Sequence, residues 1–229
     1  MKRTDGRTPE QMRPIKAEVG VIPNADGSAM FQAGNTIAYA AVYGPRELYP
    51  RFMQDPKKGV LRCVYNMMPF SGHGDRVRPG GSRRSKEISA VTESALSPVL
   101  DLSDYPNTVV DVFIELTQTD GGTRCAGITA AAMALADAGL KMKDLVSAMS
   151  MGMLDGEMVA DINGTEDCVL GATDVPIAFI PTMDKISLLQ LDGEISKEQL
   201  KKLLETGKQK CLEIYKVQQE ALKKKYKVD

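Results

Sequence analysis

The feature that most constrains this chain is Gly121-Gly122-Thr123-Arg124, set where a hydrophobic strand-like run over 108–116 gives way to an alanine-rich helical stretch over about 128–138. Backbone N–H groups at a helix start lack intrahelical partners and carry partial positive charge. Paired glycines let an oxyanion come close to them. Thr123 adds a hydroxyl donor and Arg124 a two-pronged cationic one. The tetrapeptide reads as an anion seat, although Gly-Gly before a helix also serves as plain punctuation.

A second cluster runs Asp161-Ile162-Asn163-Gly164-Thr165-Glu166-Asp167, followed by Asp174-Val175-Pro176. Residues 158–162 alternate toward a strand and Asn163-Gly164 is a turn signal, so Asp161 and Asp167 are expected to converge across that turn. Crowded carboxylates resist ionising together unless a proton or cation lies between them. Such a pair serves as a hard-metal site or as a general acid with its partner; a solvated acidic loop has the same composition. The third cluster is the glycine-rich basic loop from Ser71 to Arg84, which runs into a helix. Guanidinium forks match two phosphate oxygens and stay charged, which suits a phosphodiester backbone. Arg76 and Arg78 equally fit an ordinary exposed loop, whereas Arg83 and Arg84 stand beside a helix start that holds them in place.

Strand-like runs over 15–22, 28–33, 36–43 and 60–68 read as an antiparallel sheet. Ile88, Val91, Ala95, Leu96 and Val99 recur at helical spacing. Beyond the alanine-rich helix, 145–154 pairs through Asp155-Gly156 with 158–162, and strands follow near 175–180 and 186–191. A long helix starts after Ser196, which forms a capping-box pattern with Gln199. The expected class is α+β, with mixed sheets covered by helices and a long C-terminal helix.

Composition sets what this fold is asked to do. Net charge is only -1, so no global field draws in a polyanion, and affinity for nucleic acid must come from local patches such as the arginine loop. Cys63, Cys125, Cys168 and Cys211 lie far apart and His73 is the lone histidine, which excludes a Cys/His zinc site; all four are expected as buried thiols. Cys125 adjoins the anion seat but has no second histidine to activate it. No run approaches the ~20 apolar residues that cross a bilayer. The start, Met1 to Asp5, has no apolar core after it, so neither export nor membrane insertion is expected.

An anion seat, a carboxylate pair and an arginine loop together describe phosphate attacking a phosphodiester. Those motifs stand in order with Asp5-Gly6-Arg7, Arg13-Pro14-Ile15, Ala25-Asp26-Gly27-Ser28-Ala29, Gly44-Pro45-Arg46-Glu47, Pro69-Phe70-Ser71 and the run from Ala134 to Gly139. In this pattern the chain resembles the RNase PH family of phosphorolytic exoribonucleases, most closely its catalytic members in archaeal exosome rings. The resemblance implies one RNase PH-like domain of two similar packed halves, approximately 1–140 and 141–229. It implies processive 3′ to 5′ phosphorolysis of single-stranded RNA, releasing nucleoside diphosphates and reversible to tailing. Inorganic phosphate, the co-substrate, is expected at Gly122, Thr123 and Arg124, with RNA held by Arg83 and Arg84 and entering past Arg51. Asp161 and Asp167 match the family's acidic positions, as catalytic groups with Arg124 or as ligands of Mg2+.

The resemblance further implies a cytoplasmic hexameric ring, alternating with a homologous inactive subunit beneath cap RNA-binding proteins. Alternatives are a homohexameric RNase PH trimming transfer-RNA ends and a non-catalytic RNA-binding ring member. A small-molecule phosphotransferase is disfavoured because the glycine junction lacks the Lys-Ser/Thr ending of a P-loop.

Overall fold

The segment Thr123–Asp137 shows small apolar side chains on every side, and a helix without a polar face is stable only when enclosed. The protein, a computed structural model that describes residues 3–73, 77–78 and 81–227, encloses it between two sheets. The strands are β1 (Ile15–Val19), β2 (Gly27–Ala33), β3 (Thr36–Glu47), β4 (Val60–Met67), β5 (Thr108–Gln118), β6 (Ser147–Leu154), β7 (Glu157–Ala160), β8 (Thr173–Ile180) and β9 (Lys185–Leu189). The helices are α1 (Arg83–Leu96), α2 (Thr123–Asp137), α3 (Gly164–Cys168) and α4 (Lys197–Tyr226). Arg76 of the expected basic loop lies outside the described residues, as do the rest of 74–76 and 79–80.

The first sheet has the order β1-β2-β3-β5-β4 and the second β7-β6-β8-β9. α2 packs on β2, β3 and β5 from one side and on β6 and β8 from the other, and all of it except Arg124 and Ala136 is buried. Alanine suits that position because it lets two sheets approach one helix closely. α4 covers β6 and β1, while α1 covers β4 and reaches β9. The α+β class with mixed sheets and a long C-terminal helix is therefore borne out.

One expectation is corrected: the first sheet is not wholly antiparallel, since β4 runs parallel to β5, with Val60 opposite Val109 and Met67 opposite Leu116. The connection through α1 is the crossover that a parallel pair requires. The outer edge of β4 is closed as well. The amides of Cys63 and Tyr65 donate to the side chains of Glu93 and Ser89 on α1, at 2.8 and 2.9 Å, so these groups offer no template for another strand. Three cysteines are buried as expected, but Cys168 is exposed at the end of α3.

The far end of α2 is fastened by Asp137, which is 7% exposed. Its carboxylate accepts from the Ser28 amide at 2.9 Å, from Lys225 at 2.5 Å and from the Tyr226 hydroxyl at 2.9 Å, joining α2 to β2 and to the last turn of α4. Asp137→Ala leaves these donors unpaired and is expected to cost about 1–3 kcal/mol of stability, read as a lowered urea midpoint. An unchanged midpoint would show that α4 is held by its apolar face alone.

Candidate active site

Two glycines shape the seat. Gly121 and Gly122 have φ of 72° and 64°, in the left-handed region that glycine enters freely, and Gly122 caps α2 directly. The helix thus begins at Thr123, five residues before its alanine-rich part, so the expected anion seat coincides with the helix terminus. Gly121 also lets two segments touch: a Cβ there would lie 2.6 Å from Ile162 O and from Asn163 C. The junction is pinned by Thr36, whose hydroxyl donates to Gly121 O at 2.7 Å and accepts from the Asp120 amide at 3.0 Å. The Asp120 carboxylate takes the Gly164 amide at 3.0 Å, and the Arg13 guanidinium donates to the Asp120 carbonyl.

Asp161 and Asp167 do not converge. Asn163 caps α3 and forms a capping box with Glu166, so the chain enters a short helix where the dipeptide predicted a hairpin turn. Asp161 faces inward at 4% exposure, accepting from the Arg13 amide at 2.8 Å, Nε at 2.9 Å and Nη2 at 2.6 Å, with Arg7 at 3.3 Å. Burial pushes its pKa up, but the hydrogen bonds and charge of Arg13 outweigh that and hold it below the usual carboxylate range. Glu166 is gripped in the same way by Arg3, at 2.7 and 2.5 Å. Saturated by Arg13 and turned inward, Asp161 is placed neither to give a proton to the cleft nor to serve as a free metal ligand. Among the described residues no group of three His, Cys, Asp or Glu is placed to hold a metal ion. Asp161, taken up by Arg13, and Asp167, in the cleft, do not form the carboxylate pair expected to hold magnesium.

Asp174, and not Asp161, lines a cleft together with Asp167. An open cleft of about 490 Å³ is lined by Gly122, Thr123, Arg124, Arg84, Asp167 and Asp174, with Ser150 at its floor. Burial raises the pKa of both acids. For Asp174 the Ser150 hydroxyl, donating at 2.5 Å, opposes the rise, whereas the nearby charge of Asp167 adds to it. Arg124 is steered across the cleft by Gln190 at 2.5 Å, and Gln190 in turn meets Glu87 of α1 at 3.3 Å. Arg84 is in the second position of α1 behind the capping Ser82, in a first turn without acids. Cations at a helix start oppose the macrodipole, an arrangement that a bound anion turns favourable.

Of the other expected RNA contacts, Arg83 is exposed at the head of α1 and Arg51 is exposed on the turn Arg51–Met53; neither lines the cleft. Sequence reasoning passed over Ser150 and Gln190, which no motif marks.

The two acids separate experimentally. Asp161→Asn strands buried Arg13 and is expected to cost about 3–5 kcal/mol of stability. Because the folded pKa of Asp161 is lowered, its contribution is present above the ordinary carboxylate range and is lost as pH falls through the folded value. Asp167→Asn should leave the unfolding midpoint unchanged and slow turnover. Equal midpoints for the two variants would contradict the assignment.

Comparison with known proteins shows the family. The 3′ exoribonuclease family matches over residues 11–141 (domain 1) and 144–210 (domain 2). The exosome complex component Rrp41 of Thermococcus kodakarensis is 51% identical over 225 residues, covering 98% of this chain and 90% of that protein. Its counterpart in Methanopyrus kandleri is 49% identical over 224 residues, covering 98% and 93%. Among solved structures, rice Rrp46 superposes with a TM-score of 0.83 at 28% identity, covering 95% of this chain and 98% of that one. A chain of the Archaeoglobus fulgidus exosome with RNA bound to the active site gives 0.80 at 23% identity, covering 93% and 91%, a likeness of fold alone. The chain belongs to the RNase PH family, the phosphorolytic 3′ to 5′ exoribonucleases.

Proposed function

We propose that the cleft holds orthophosphate against the start of α2 and directs it at the last linkage of an RNA 3′ end. Gly122, Thr123 and Arg124 bind the phosphate; one of its oxygens attacks the terminal phosphorus, the P–O3′ bond breaks, and a nucleoside diphosphate leaves. The attacking group is phosphate and not water, so the reaction is a phosphorolysis. An anhydride replaces an ester, and abundant diphosphate drives the same step backwards into tailing. The observation that carries the reading is the opposition, across one cleft, of Thr123, Arg124 and Arg84 to two acids of raised pKa. Phosphoryl transfer depends chiefly on positioning and charge, which these groups supply.

Asp167 and Asp174 share the proton that the departing 3′ oxygen takes up. Two acids crowded in a partly buried cleft favour a state with one of them neutral. Asp161 acts at one remove, by holding Arg13. No step is routed through Mg2+, since the acids expected to ligate it point apart. Arg84 clamps the phosphates of the terminal nucleotides, with Arg83 and Arg51 further out along the strand.

Similarity to exosome components supports a ring shared with a homologous inactive subunit and topped by cap RNA-binding proteins, and a cytoplasmic setting. Among the described residues no helix is long and apolar enough to cross a membrane. Arg124, Asp167 and Asp174 in one cleft favour catalysis over a purely RNA-binding role.

Arg124→Glu should abolish diphosphate release while RNA binding persists; parallel loss of both would remove Arg124 from the phosphate seat. Asp174→Asn should lower kcat by about 10²–10⁴-fold, the usual worth of a positioned general acid. Wild-type activity should fall as pH rises through the raised pKa of the acid pair, because the neutral form is the donor; an activity that only rises with pH refutes this role. Arg84→Glu should weaken RNA affinity and reduce its salt slope by about one.

A further inference from the structure

Gln190 stands immediately after β9, half-buried, on a segment stitched to the start of β8. Its amide donates to Pro176 O at 3.1 Å, and two residues on, Asp192 and Asp174 exchange backbone hydrogen bonds of 2.8 and 3.0 Å. The backbone under Gln190 is thereby fixed to the strand that carries Asp174 into the cleft. From this base the side chain spans two helix starts. Its Oε1 accepts from Arg124 Nη1 of α2 at 2.5 Å, and its Nε2 donates to Glu87 Oε1 of α1 at 3.3 Å. Glu87 is three residues past Arg84, on the same side of α1. A guanidinium only donates and an ionised carboxylate only accepts, so these neighbours leave the amide one orientation.

Among the described residues Arg124 enters no ion pair, and its side-chain hydrogen bond goes to Gln190. A carboxylate in that place would hold the guanidinium more tightly, but it would offset its charge and compete with an incoming anion. An amide oxygen takes up one of the five N–H donors and leaves the charge and the other donors for a ligand. A side chain already held in one rotamer also loses less freedom when the ligand docks. We infer that Gln190 is a positioning residue for phosphate: from the strand that bears Asp174 it holds Arg124 at the seat through a neutral acceptor, tying the cationic side of the cleft to the acidic one. The inference rests on the reading of Gly122, Thr123 and Arg124 as the phosphate seat.

The test compares wild type, Gln190→Leu, Gln190→Glu, Arg124→Ala and the double variant of Gln190→Leu with Arg124→Ala, each as the full chain assembled with its partner subunit. Phosphate affinity is read as KM in phosphorolysis of a short RNA and as Kd for inorganic phosphate by calorimetry, so an inactive variant still reports. Gln190→Leu should weaken phosphate affinity about three- to tenfold, the worth of one hydrogen bond, with the KM for RNA and Tm unchanged. Gln190→Glu keeps an acceptor in place but adds a charge, and should weaken phosphate affinity further than leucine does. The double variant should be no worse than Arg124→Ala alone. Weakened phosphate binding in Arg124→Ala with none in Gln190→Leu overturns this inference and leaves the seat intact. Unchanged binding in Arg124→Ala overturns the seat, and the role of Gln190 with it. Phosphate affinity in Gln190→Glu equal to or better than in Gln190→Leu overturns the neutral-acceptor role. A Gln190→Leu defect shared between phosphate and RNA, with lowered Tm, reduces Gln190 to a structural part and overturns the inference.

Discussion

The pairing of Arg13 with Asp161 is the contact on which the rest of the site depends. One guanidinium and its own backbone amide occupy the Asp161 carboxylate, and the same guanidinium reaches the carbonyl of Asp120. The N-terminal segment, the glycine junction and the segment leading into α3 are thereby locked to one another. A buried ion pair is weak evidence for net stability, because desolvation offsets the attraction. Its worth here is geometric: it fixes the angle at which the start of α2 opens to solvent. Arg3 and Glu166 repeat the device one turn further on, under the helix that carries Asp167.

Charge in the cleft is arranged as opposition. Arg84 and Arg124 stand over acids that burial discourages from ionising, and each group moderates the other. An anionic substrate and an anionic nucleophile must enter the same space, and two fixed cations offset their mutual repulsion. Neutral-leaning acids add less negative charge to that space than ordinary carboxylates would. With a net charge of only -1 overall, attraction for a polyanion must come from local patches.

Much of this was legible in the sequence. The strand–glycine–helix junction was legible because glycine spacing and helix-start chemistry are local. The capping box at Ser196 likewise marked α4, which begins at Lys197. Choosing among Asp161, Glu166, Asp167 and Asp174 was different, since their roles depend on partners in distant segments. Arg3, Arg7 and Arg13 convert two of the four acids into structural anchors, and nothing near those acids in sequence shows it. The parallel pairing of β4 was hidden for the same reason, because strand direction follows from a crossover and side-chain alternation is blind to it. Asn163-Gly164 misled because an asparagine that starts a turn also caps a helix.

The braces of the site join opposite ends of the chain's synthesis. Arg3 and Arg13 leave the ribosome early, yet their acids follow 163 and 148 residues later. Contacts of that separation close after local structure has formed. A partly translated polypeptide thus has its glycine junction without the buttress behind it, and lacks Asp174 altogether.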